Sequence, residues 1–238
     1  MPRINFHQQL TALKDKLLAM AALSQQALEF SVEAYTSRDV SLSQHVRDLE
    51  TAINAAEKSV DEMAYELLAK EQPMAVDLRF ILSVIKINGD LERIGDQATN
   101  IATRATSSDA APPTAGSRCH PVDIQSMGDK VGVMIRRAIQ SLLEGDTELA
   151  QSVLELDDEV DEMNRTIQRD LVDCMTHNPD NAEQSLNAII ISRNLERAGD
   201  HATNIAEDVI FWIRGNDVRH KFSMVGMESN EDKHLPRM

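Results

Sequence analysis

Apolar residues recur along this chain at intervals of three and four. Val46, Leu49, Ile53, Ala56, Val60, Met63 and Leu67 keep that rhythm without a break, and Leu149, Val153, Leu156, Val160, Met163 and Ile167 repeat it later. Leu10, Leu13, Leu17 and Met20 begin a third stripe near the N-terminus. This period lines one face of a helix with apolar side chains, and such a face is buried by laying it on other helices at shallow crossing angles. Ser41 and Asp146 suit helix caps, while Pro73 and Pro179 suit first turns. The pattern predicts six helices, at 6–37, 40–70, 74–106, 122–144, 147–176 and 180–214. A 30-residue helix is about 45 Å long, so the expected architecture is all-α and built from long rods.

Two stretches lack the rhythm. Residues 107–121, Ser-Ser-Asp-Ala-Ala-Pro-Pro-Thr-Ala-Gly-Ser-Arg-Cys-His-Pro, are small, polar and rich in proline, which predicts a linker. Residues 216–238 are similar in character and predict a flexible tail. The helical segments on either side of the linker are copies of one another. Leu91-Glu-Arg-Ile-Gly-Asp-Gln-Ala-Thr-Asn-Ile-Ala102 and Leu195-Glu-Arg-Ala-Gly-Asp-His-Ala-Thr-Asn-Ile-Ala206 agree at ten of twelve positions. The expected organisation is therefore two pseudo-symmetric three-helix bundles: a first repeat at 1–106, the linker, a second repeat at 122–215 and the tail.

Composition narrows the classes of function. In 238 residues there are 24 Lys and Arg against 39 Asp and Glu, a net charge of −15. Such a surface repels nucleic acid and anionic membranes, and with 3% aromatic residues there is little for bases to stack on. No run of 18 apolar residues occurs, so no direct membrane insertion is expected, and the protein is expected to be soluble and cytoplasmic. Cys119 and Cys174 have no metal-ligand spacing, and both are expected as reduced thiols without function.

The candidate chemistry lies inside the duplicated string. Glu92 and Asp96, and again Glu196 and Asp200, stand four apart, on one helical face. Asp157 and Asp161 flank the apolar stripe of the preceding helix, and Glu50 and Asn54 do so in the first half with the same offset. If the second and third helices of each half pack antiparallel, these pairs face each other. Three or four oxygen donors would then converge, a set that suits Mg²⁺, Mn²⁺, Ca²⁺ or iron better than zinc or copper. The same acids also read as solvated faces of an acidic protein. Gly95 and Gly199, between the acids, permit either close helix approach or room for a ligand. Thr99-Asn100 and Thr203-Asn204 either orient the carboxylates or stand in solvent, and His201 is expected at the surface or facing a partner. No phosphate-binding glycine loop and no nucleophile with its base appear, so no catalytic residues are expected and the protein is not expected to be an enzyme. The duplicated helices also lack the Glu-x-x-His pairs of ferritin-like bundles. A metal store, a carboxylate metalloenzyme and a plain helical scaffold remain alternatives.

The two Leu-Glu-Arg-x-Gly-Asp strings, Gln72-Pro73 followed by Leu78-Arg79-Phe80, and Gly-x-Asp-x-Arg-His at 215–220 resemble the PhoU family of phosphate-signalling proteins. The resemblance runs from about residue 6 to His220. It implies a homodimer and a cytoplasmic negative regulator of phosphate uptake and the phosphate-starvation response. Such a protein is expected to act as an adaptor between the ATPase subunit of the phosphate ABC transporter and a sensor histidine kinase. The resemblance also implies a divalent metal or iron at the paired acidic motifs, here Glu50 and Asn54 with Glu92 and Asp96, and Asp157 and Asp161 with Glu196 and Asp200. Asn54 departs from the acidic pattern.

Overall fold

The computed structural model describes residues 2–106 and 122–215. Six α-helices fill them: α1 (Pro2–Ser37), α2 (Val40–Glu71), α3 (Val76–Ala105), α4 (Ile124–Glu144), α5 (Thr147–His177) and α6 (Ala182–Arg214). No strand occurs among the described residues. The stretches 107–121 and 216–238, expected as linker and tail, lie outside the described residues, as does Cys119.

Local chemistry fixes the ends of the rods. Asp39, rather than Ser41, caps α2, its Oδ1 accepting from Ser41 N at 2.9 Å. Asp146 caps α5 as expected, accepting from Glu148 N at 2.8 Å and Leu149 N at 3.0 Å, and Asp123 caps α4 through Ser126 N. Each cap supplies an acceptor to amides that have no partner within the first helical turn. Pro73 does not open α3; it sits in the preceding turn, and α3 starts at Val76. Pro179 opens a short 3₁₀ turn, Pro179–Asn181, that leads into α6.

The apolar rhythm is only half buried. In α2, Val46, Ile53, Val60 and Leu67 are at most 3% exposed, while Leu49, Ala56 and Met63 lie at the margin of the core. In α5, Val153, Val160 and Ile167 go inside, and Leu156 and Met163 stay at the edge. The reason is position. Helices α1, α3, α4 and α6 form a central group, with α2 laid against α1 and α3 and α5 against α4 and α6. A flanking helix has one buried face, so its stripe runs from core to rim.

The two repeats pack antiparallel. Arg79 Nε donates to Trp212 O at 3.1 Å near one end of the α3–α6 seam, and Asp90 meets His201 at 2.9 Å further along it. The α1–α4 seam runs the same way, with Lys14 Nζ on Leu143 O at 2.6 Å and Thr36 Oγ1 on Gln125 Oε1 at 3.2 Å. Close approach is needed there: a Cβ on Gly128 would lie 2.8 Å from Val32 Cγ2. One expectation about thiols is overturned. Cys174, 1% exposed, is disulfide-bonded, because bonding depends on approach in space and spacing along the chain does not report that.

Candidate functional site

Helices α2, α3, α6 and α5 lie side by side, and the candidate acids occur on this face in two rows. In the second repeat, α5 contributes Asp157 and Asp161 and α6 contributes Glu196 and Asp200. The four lie within electrostatic reach of one another. Burial, followed by the charges of Glu196, Asp157 and Asp161, pushes the Asp200 carboxyl up to about 6, and His201 opposes this only in part. Burial and the neighbouring Asp161 also raise Asp157, against a hydrogen bond from the Thr203 hydroxyl. Three of the four are half-buried, and Asp200 reaches solvent. An ion arriving from water can therefore meet this row directly.

The first repeat is built to the same plan with different donors. Glu92 is raised by burial, then by Asp96 and Glu57, with Arg93 lowering it and Glu50 adding a smaller push. Thr99 Oγ1 donates to Glu50 Oε2 at 3.1 Å, matching the bond from Thr203 to Asp157, so the threonines of the duplicated string do orient carboxylates. The structure brings Glu50, Glu92 and Asp96 together; Asn54 is half-buried on α2 and adds no charge.

Sequence reasoning passed over three residues here: Glu57, Asp61 and Asn88. Asn88 is fully buried, and its Nδ2 donates to Glu57 O and to Asp61 Oδ1, both at 3.0 Å. Its Oδ1 has no hydrogen-bond partner. The signal was present, because Glu57-x-x-x-Asp61 is itself a carboxylate pair, one heptad beyond Glu50 and Asn54. The corresponding positions in α5 are Asn164 and Gln168, and there Asn164 Oδ1 accepts from both Ser192 Oγ and Gln168 Nε2 at 3.0 Å. The second repeat completes this network within the protein, and the first leaves a buried acceptor open.

Two readings of α6 change with the packing. His201 does not face outward: its Nδ1 lies 2.9 Å from Asp90 Oδ1 in the α3–α6 seam, with the His201 side chain 16% exposed. Asn204 joins it there, Nδ2 to Asp90 Oδ1 at 3.2 Å, and so braces the repeats rather than the carboxylates. The cause is the antiparallel pairing, which turns this edge of α6 toward Asp90. The glycines divide as well. A Cβ on Gly95 would meet Ile53 Cδ1 at 3.0 Å, which is close approach of α2 and α3, whereas on Gly199 it would find ordinary contact with Val160 at 3.6 Å.

The donor set on both rows is oxygen, the kind that hard cations prefer. Among the described residues, no three or more His, Cys, Asp or Glu side chains already enclose an ion-sized position. The rows are crowded negative surfaces, relieved only in part by Arg93 and His201.

Comparison with known proteins agrees with this architecture. The PhoU domain model matches the chain twice, over residues 17–105 and 124–209. A phosphate-specific transport system accessory protein PhoU homolog of Pseudomonas putida is 40% identical over 215 residues, covering 90% of this chain and 83% of the relative. The crystal structure of PhoU from Pseudomonas aeruginosa superposes with a TM-score of 0.84 at 38% identity, covering 89% of this chain and 100% of that one. The phosphate transport system regulatory protein PhoU from Streptococcus pneumoniae shares the fold, with a TM-score of 0.80 at 22% identity over 90% of this chain and 99% of its own. One family model fitting each half of a duplicated chain, with relatives aligned along nearly all of it, makes this chain a member of the PhoU family.

Proposed function

We propose that this protein is an accessory regulator of phosphate transport that holds the phosphate-starvation response off by contact with other proteins. The observation that carries the reading is the match of the family across both repeats, with relatives named as accessory proteins of phosphate-specific transport. In this reading its partners are the ATPase subunit of the transporter and the cytoplasmic part of a sensor histidine kinase, and it works in the cytoplasm as a homodimer. The described residues include no helix long and apolar enough to cross a membrane. Rigid rods with charged surfaces suit an adaptor, and the functional residues then lie on surfaces rather than in a cleft.

Hard divalent cations or iron at the acidic rows form the second part of the proposal. Glu196, Asp200, Asp157 and Asp161 would hold one ion or cluster. Glu50, Glu92 and Asp96, with Asn54 as a neutral donor, would hold the other. Support comes from the all-oxygen donor set and from carboxyls raised first by burial and then by neighbouring acids, the second of which a cation would relieve. A bound ion would draw the side chains inward and complete its shell with water.

Two measurements test the reading. Deleting the gene should switch on a phosphate-starvation reporter in phosphate-replete cells, and the purified protein should bind the ATPase subunit or the kinase fragment. If neither effect is seen, the adaptor reading fails. Elemental analysis of the protein beside a variant with Asp157, Asp161, Glu196 and Asp200 all changed to alanine tests the metal. Metal in the first and less in the folded variant is expected. Equal content in both returns the acids to solvated surface, and the adaptor then rests on protein contacts alone.

A further inference from the structure

We propose that Glu57, Asp61, Asn88 and Glu92 form a divalent-cation site of the first repeat, one heptad along α2 from Glu50 and Asn54 and without a counterpart in the second repeat. Glu57 and Asp61 stand four apart on α2, and Asn88 and Glu92 four apart on α3, so each pair lies on one helical face. The two faces meet. Asn88 Nδ2 donates to Glu57 O and to Asp61 Oδ1, both at 3.0 Å, and the charge of Glu57 is among those that Glu92 feels. No Lys, Arg or His among the described residues forms an ion pair with Glu57, Asp61 or Glu92. The cations next in sequence, Lys58 and Arg93, are exposed, and Arg93 offsets the charge around Glu92 only in part. Lys16 reaches α2 at Ser59 Oγ, on the opposite side of the helix from Glu57 and Asp61.

Clustered acids are ordinary on a chain of net charge −15 and by themselves mark no site. Asn88 is a separate observation. Its side chain is 0% exposed and reaches between Glu57 and Asp61, yet its Oδ1 has no hydrogen-bond partner. A buried amide oxygen without a donor costs free energy, and native folds rarely leave one. A water would satisfy that oxygen alone. A hard cation, with its shell completed by water, would answer the oxygen and three carboxylates together.

The second repeat keeps only Glu196 of this set. Asn164 and Gln168 stand in the places of Glu57 and Asp61, and Ser192 stands in the place of Asn88. Their polar atoms bond one another, Ser192 Oγ and Gln168 Nε2 both donating to Asn164 Oδ1 at 3.0 Å. Arg193 brings a fixed positive charge three residues before Glu196, where the first repeat has Gly89 three residues before Glu92. A Cβ on Gly89 would meet nothing within 4 Å, so that side of the site is open. One backbone thus carries neutral, self-satisfied groups and an arginine in one copy, and acids, an open amide oxygen and free space in the other.

The site shares Glu92 with the first acidic row but does not need the rows to hold metal, and the test separates the two. Mn²⁺ binding to the full chain is measured by equilibrium dialysis in physiological salt, for the wild type and for a row-stripped protein. The latter carries Asp157→Ala, Asp161→Ala, Glu196→Ala, Asp200→Ala, Glu50→Gln and Asp96→Asn. Asp61→Asn and Gly89→Arg are then added to it singly; neither position is buried, and thermal melts check folding. We expect the row-stripped protein to keep one Mn²⁺ per chain and each added change to weaken it at least about tenfold. The same two changes in otherwise wild-type protein should each lower the Mn²⁺ bound by one per chain, which keeps the test decisive if row-stripping impairs folding. Wild-type binding that the folded row-stripped protein loses overturns this site and leaves the rows. Binding that either added change leaves intact also overturns it and puts the ion elsewhere on the acidic surface. No Mn²⁺ on any of the proteins, wild type included, defeats the metal reading of the rows along with it.

Discussion

Asp200 shows how one carboxyl reports on its whole row. Its folded pKa of about 6 lies above the ordinary carboxylate value of 3.8 because burial and three neighbouring acids disfavour its charge. The unfolded chain therefore releases this proton first as pH rises. The metal-free protein should lose stability between about pH 4 and 6 and stay less stable above that range. Asp200→Asn should raise the melting temperature of chelator-treated protein at pH 8 and leave it unchanged near pH 4. Because Asp200 reaches solvent, the gain is on the order of 1 kcal/mol. Adding Mg²⁺ or Mn²⁺ at pH 8 should restore the wild type and do little for the variant, as thermal melts can check. The row itself was legible in sequence, since acids four apart share a helix face whatever the packing. Asn88 was not, because its importance lies in an amide that bonds Asp61 and an oxygen that bonds nothing, and both are facts of burial. His201 and Asn204 misled for a related reason: helical spacing gives an angle around the rod, and only the neighbouring rod decides what occupies it.

The helices were legible almost to the residue, because caps and apolar period act locally. Asp146 shows it, capping α5 as expected, whereas the cap of α2 lies at Asp39, two residues before the expected Ser41. The turns before them differ in a way that invites a paired test. The residue preceding the cap is Arg38 with φ 62° in the first repeat and Gly145 with φ 67° in the second. Glycine enters that region freely and arginine does not. Arg38→Gly should stabilise by up to about 1 kcal/mol, and Gly145→Ala should cost about 1–2 kcal/mol. The cost is at the upper end because the new Cβ would lie 3.3 Å from Ile213 Cδ1. Chemical denaturation of the two variants measures both changes. Equal effects of the same sign would mean that these turns do not carry the strain their dihedrals imply. Less legible was the half-burial of the α2 and α5 stripes, since a heptad looks the same in a central rod as in a flanking one.

At the scale of the whole molecule, the seam between the repeats is partly polar. Asp90, 8% exposed, accepts from His201 and Asn204, and Asp208, 4% exposed, pairs with Lys86 at 3.1 Å. Lys86 also lies 5.3 Å from the centre of the Phe211 ring. Removing one acceptor strands its donors in a place that water reaches poorly. Asp90→Ala should lower stability by about 2–3 kcal/mol, read as a lower denaturation midpoint with an unchanged slope. A fall in slope would instead mean that the repeats had begun to unfold separately. Duplication was plain in the sequence, but its antiparallel docking was not, because the residues of the seam match nothing within their own repeat. That docking sets a distance. The α2–α3 turn lies beside the C-terminus of α6, so the matching α5–α6 turn stands at the far end of rods about 45 Å long. In the adaptor reading the chain would be a spacer with unlike tips: a globular domain seated on one would leave the other clear, and two domains held at both would be kept a fixed span apart without touching.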